Sequence, residues 1–137
     1  MKPPVLLDTG PLVALLNRRE RLHARVKAAL QLLPVPLLTV EPVLTEAMHL
    51  LRDVPKGPKA VLSMVHDGLL RVPLAIEPQA RALDVLMTRF ASVPMSLADA
   101  CLVRLVELMP DASVFTLDRD FVIYRAQKNR PIQLVDY

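Results

Sequence analysis

Short apolar runs closed by Asp, Thr or Pro alternate along the chain with stretches whose apolar positions recur every three or four residues. The short runs are Val5 to Leu7, Leu37 to Thr39, Leu70 to Leu74, Ser113 to Thr116 and Ile132 to Val135. They are too short for helices and show little polar alternation, which predicts strands buried on both faces. Helical spacing covers Pro11 to Asn17, then Leu22, Val26, Ala29, Leu30 and Leu33 within Glu20 to Leu33. It returns at Val43, Leu44, Ala47, Leu50 and Leu51, at Val61, Met64 and Val65, at Leu83, Leu86, Met87 and Phe90, and at Ala98, Cys101, Leu102, Leu105 and Val106. Doubly buried strands alternating with amphipathic helices predict a three-layer α/β/α sandwich with a mainly parallel central sheet. In such sheets chemistry collects where strands end and helices begin.

Composition narrows this further. A chain of 137 residues with 53% apolar content, three glycines and no tryptophan is the material of one helix-rich domain, spanning 1–137. The 13 prolines are scattered at element boundaries and form no linker. Asp99, Arg104 and Glu107 interrupt the longest apolar stretch, so no membrane span is expected. The first carboxylate, Asp8, comes too early for a signal peptide, and the expected location is the cytoplasm. The single cysteine, Cys101, excludes an internal disulfide or a thiolate cluster and reads as a core filler. The net charge is only +3, yet Arg18, Arg19, Arg21, Arg25 and Lys27 crowd together with Glu20 as their one acidic neighbour. That cluster is either a solvated helix face or a guide for phosphates.

The acidic residues carry the candidate chemistry. Asp8 follows the first predicted strand and Asp118 the fourth, so both should emerge at the carboxyl edge of the sheet. Each also has an ordinary use as a cap or turn residue. At about 100° per residue, Glu46 falls at the margin of its helix's apolar stripe, and Glu41 is turned away. Asp99 borders the apolar face of its own helix, although Ser96 three residues earlier also gives it the pattern of a capping box. Carboxylates gathered without basic partners repel one another unless a cation joins them. Oxygen-only ligands suit hard ions, Mg²⁺ or Mn²⁺ before Zn²⁺, and the matching reaction is phosphodiester hydrolysis.

Four segments then resemble, in order, the motifs of PIN-domain nucleases. They are Val5-Leu6-Leu7-Asp8-Thr9, Leu44-Thr45-Glu46-Ala47, Met95-Ser96-Leu97-Ala98-Asp99-Ala100, and Phe115-Thr116-Leu117-Asp118-Arg119-Asp120-Phe121. The resemblance spans nearly the whole chain and implies that Asp8, Glu46, Asp99 and Asp118 hold one or two Mg²⁺ or Mn²⁺ ions for RNA cleavage. It makes Asp120 an outer or second-metal member, and Thr9 and Thr116 supports that orient the acids through their hydroxyls. Arg18, Arg19, Arg21 and Arg25 would guide the RNA backbone. Gly10 departs from the family pattern, which often places Ser or Asn there. Stand-alone members include VapC-type toxin ribonucleases of toxin–antitoxin pairs, so the resemblance also implies a homodimer and a small antitoxin partner.

Other readings use the same residues. A non-catalytic binding or scaffold module would keep the acids as caps. Asp8-Thr9-Gly10 matches the active triplet of aspartic proteases, but those proteins are almost all β and glycine-rich. A haloacid-dehalogenase-type phosphatase needs a second Asp where this chain has Gly10. Glu20-Arg21-Leu22-His23 and Glu46-Ala47-Met48-His49 fit the Glu-x-x-His pattern of di-iron bundles, yet neither pair points along its helix's apolar stripe.

Overall fold

A computed structural model describes residues 2–137. Seven strands and six α-helices follow in the order β1 (Val5–Leu7), α1 (Thr9–Leu16), α2 (His23–Gln31), β2 (Leu37–Leu38), α3 (Glu41–Leu50), α4 (Gly57–His66), β3 (Leu70–Arg71), α5 (Ala80–Arg89), α6 (Leu97–Leu108), β4 (Ser113–Phe115), β5 (Arg125–Ala126), β6 (Arg130–Pro131) and β7 (Gln133–Leu134). Five strands form one parallel sheet in the order β3-β2-β1-β4-β7, and β5 and β6 make a separate antiparallel pair. β1 lies at the centre, so its Val-Leu-Leu run is buried, as an apolar strand covered on both faces must be.

Strand order runs outward from β1 in both directions, through β2 and β3 on one side and β4 and β7 on the other. Right-handed crossovers then place helices on both faces, giving the α/β/α sandwich, and the order reverses between β1 and β4. A crevice opens there at the carboxyl ends of the strands. Register fixes what meets in it: Leu7 pairs with Phe115, so Asp8 and Thr116 come next, side by side. The Asp8 amide donates to the Phe115 carbonyl at 3.0 Å, and Thr39 Oγ1 donates to the Leu7 carbonyl at 2.8 Å, tying β2 to the same edge.

Several boundaries differ from expectation. The first helix starts two residues early, at Thr9, because Asp8 caps it and Pro11 fits its first turn. The second is shorter than Glu20 to Leu33, with Leu32 largely exposed, and Val26 alone of its predicted stripe is fully buried. The third strand stops at Arg71 because Pro73 offers no amide to a ladder. The β5–β6 pair and the 3-10 turn Arg119–Val122 carry no periodicity that would have announced them. Among the described residues no helix is long and apolar enough to cross a membrane.

Candidate active site

Asp8 ends β1 and caps α1. Its Oδ1 accepts from the Thr9 amide at 2.8 Å and its Oδ2 from the Thr116 hydroxyl at 2.7 Å. Only 7% of the residue is exposed. Burial is the main reason its pKa rises to about 6 from an ordinary 3.8; the two hydrogen bonds pull it down, and the charges of Asp99 and Asp118 push it up again. Thr116 is shared, since its Oγ1 also accepts from the Asp118 amide at 2.9 Å. Asp118 in turn takes the Asp120 amide on Oδ1 at 2.9 Å and so caps the 3-10 turn.

Asp99 stands in the first turn of α6 within a complete capping box: its amide donates to Ser96 Oγ at 3.1 Å, and its Oδ2 accepts from the Ser96 amide at 3.3 Å. The same Oδ2 accepts from the hydroxyl of Tyr124 at 2.8 Å. Glu46, on α3, is exposed and has no hydrogen bond or ion pair among the described residues. Asp120 has its pKa raised by burial first, and then by Asp118 and Asp99.

All five acids line one cleft of about 450 Å³, together with Thr9, Gly10, Pro94, Ser96 and Leu117, and no basic side chain lines it. Asp8, Asp99 and Asp118 therefore act as caps and line the cleft at the same time. Among the described residues no three of these side chains stand close enough together to form a ready ligand set. Hydrogen bonds to Thr9, Thr116, Ser96, Tyr124 and the Asp120 amide engage the carboxylates separately, as repulsion between like charges favours.

The supporting residues also divide. Thr116 contacts Asp8 as anticipated, whereas the Thr9 hydroxyl is buried without a hydrogen-bond partner, so Thr9 serves Asp8 through its backbone. Adding a Cβ at Gly10 would bring it 3.2 Å from Leu117, whose side chain takes the space that a larger residue would need. The arginines do not form one patch. Arg18 and Arg19 line a large cavity beside Asp53. Arg21 lines a smaller one that shares Gly10 and Leu117 with the acidic cleft, while Arg25 lies over the Tyr137 ring at 5.6 Å.

Tyr124 escaped the reading of the sequence, where nothing links a tyrosine to an acid 25 residues away. The competing motifs fail on geometry. Asp8-Thr9-Gly10 enters a helix from a parallel strand, unlike the all-β setting of an aspartic protease. Glu20 and His49 are exposed, and His23 Nδ1 lies 2.7 Å from the Ala14 carbonyl, so neither Glu-x-x-His pair points inward. Cys101 is buried, and that burial pushes its thiol up to about 11, as befits packing.

Residues 5–127 match the family model described as PIN domain. The fold is similar to the crystal structure of Mycobacterium tuberculosis VapC20, a sarcin–ricin loop cleaving toxin, with a TM-score of 0.79 over 93% of this chain and 99% of that one. Sequence identity to it is 21%, so the likeness is one of fold. No curated protein matches this sequence.

Proposed function

This chain belongs to the PIN domain family, and from that premise we propose that it is a divalent-metal-dependent endoribonuclease hydrolysing RNA phosphodiester bonds. The observation that carries the reading is a cleft at the sheet's switch point lined by five carboxylates and no basic group. The donor set suits a hard cation in kind, since every candidate ligand atom is a carboxylate oxygen. Asp8, Glu46, Asp99 and Asp118 would hold Mg²⁺ or Mn²⁺, with Asp120 joining from the rim. When bound, the ion supplies compensating charge for the phosphate and lowers the pKa of water.

The chain's own residues do the rest. Thr116 fixes the direction of Asp8 and, through its accepted amide, the start of the turn that carries Asp118. Arg18, Arg19 and Arg21 line cavities that run on from the cleft through Gly10, Leu117 and Leu50, a path along which phosphates would be drawn. The likeness in fold to VapC20, a sarcin–ricin loop cleaving toxin, favours RNA as substrate and a toxin role here; a small antitoxin partner, a homodimer and a cytoplasmic location belong to the same proposal. One catalytic domain would account for 1–137.

The test is cleavage of labelled single-stranded and hairpin RNA with Mg²⁺ or Mn²⁺, alongside DNA of the same sequence. Cleavage of RNA that EDTA abolishes and fresh Mn²⁺ restores is the expected result. Intact RNA at all metal concentrations would overturn it. That outcome would favour a non-catalytic module, a reading that draws on the capping work done by Asp8, Asp99 and Asp118.

A further inference from the structure

We infer that Tyr124 is a positioning residue: its hydroxyl fixes one oxygen of Asp99 and so turns the other toward the cleft. The inference rests on the metal-dependent reading above and adds to the four acids a residue outside the family motifs. Tyr124 follows the 3-10 turn, and its side chain is fully buried. Its ring meets Phe90 edge-on, with centroids 5.3 Å apart, and Phe121 likewise at 5.1 Å. Two perpendicular neighbours leave the ring no room to swing, so the hydroxyl is delivered to a fixed point. A buried phenol needs a partner, and Asp99 Oδ2 at 2.8 Å provides it.

The division of labour between the two oxygens follows. Oδ2 of Asp99 accepts from both Tyr124 and the Ser96 amide, while Oδ1 has no hydrogen-bond partner among the described residues. Without the phenol, Oδ2 would keep only the long 3.3 Å bond from Ser96 and the carboxylate would be free to rotate.

The experiment is a Mn²⁺ titration by calorimetry of the full chain as wild type, Y124F, D99N and the double variant, with RNA cleavage measured in parallel. Phe keeps the ring packing and removes only the hydroxyl. Y124F is expected to weaken Mn²⁺ binding roughly tenfold, as loss of an outer partner of a metal ligand does, and to regain most of its kcat at saturating Mn²⁺. In the D99N background the Tyr124 substitution should change nothing further. Wild-type affinity in Y124F, or losses that simply multiply in the double variant, would overturn the assignment.

A second readout does not depend on Y124F folding. The sequence has two tyrosines, so 3-fluorotyrosine in a Y137F background labels Tyr124 alone. Its fluorine NMR line should move on Mg²⁺ addition and stay still in D99N; a line that ignores Mg²⁺ in the protein with Asp99 intact would refute the link. The two readings fail differently. A wild type that binds no Mn²⁺ and cuts no RNA removes the metal-dependent function and this inference together, whereas an active wild type matched by Y124F removes the Tyr124 role alone.

Discussion

Asp8 and Asp99, the inner pair in the sense that a hydroxyl holds each, and Glu46 and Asp120, the rim pair that no hydroxyl holds, are the same chemistry under different control. Each inner acid is held by a hydroxyl from a distant segment, Thr116 for Asp8 and Tyr124 for Asp99. On the rim, Glu46 touches no donor among the described residues, and the Asp120 carboxylate accepts no hydrogen bond there either, its amide being the group that Asp118 caps. Asp118 is intermediate, exposed but tied by one oxygen. The difference teaches that the fold sets the direction of the inner pair's carboxylates, while the rim's carry no hydrogen bond that would set theirs. The inner pair should therefore carry most of the specificity for geometry.

The comparison breaks first on activity. Asp8→Asn and Asp99→Asn are each expected to lower kcat/KM for RNA on the order of a thousandfold, against about tenfold for Glu46→Gln or Asp120→Asn. Initial rates in Mn²⁺ measure this, and equal losses at rim and interior would erase the distinction. Next in size is Thr116→Val, which deletes the hydroxyl serving Asp8 and Asp118 and should cost about 10- to 100-fold in the same assay, with Thr116→Ser close to wild type.

Stability sharpens the comparison through sign. Asp8 has a folded pKa near 6 and an ordinary one of 3.8, so between these values the folded protein binds more protons than the unfolded chain. Stability of the metal-free protein should fall as pH rises through that window, by about 3 kcal/mol at most, and level off above it. Urea midpoints in EDTA at either end of the window check this, and Asp8→Asn should remove the slope. An unchanged slope in that variant would mean that burial does not govern the acid. The smallest effect lies farthest from the cleft. Arg18→Glu and Arg19→Glu should each flatten the salt dependence of RNA binding by about one unit of log–log slope, and Arg25→Glu should leave it alone, as filter binding across a salt series would reveal.

Much of this was legible in the residues. An Asp that follows a doubly buried strand has to surface at the carboxyl edge, which put Asp8, directly after β1, and Asp118, shortly after β4, on the same side of the sheet. The helical margin of Glu46 and the first-turn position of Asp99 brought those two to the same cleft. How near the acids approach one another was not legible, because side-chain torsions settle it, and those answer to Thr116, Ser96 and Tyr124. The placement of the arginines was not legible for a related reason. Neighbours from 18 to 25 run from the end of α1 through a turn into α2, so closeness in sequence spread them over separate surfaces. The missing side chain at Gly10 was plain, but its complement, Leu117 filling that space, needed the fold.

The capping box at the head of α6 makes the two inner aspartates unequal tools. Stripping Asp99 to Ala would undo a helix start and strand the phenol in the interior, weakening the scaffold by about 1–3 kcal/mol. Neutralising Asp8 instead relieves an electrostatic burden, so the silenced protein should be sturdier than its parent. An inert form meant to capture intact RNA for crystallography is best made at the end of the central strand.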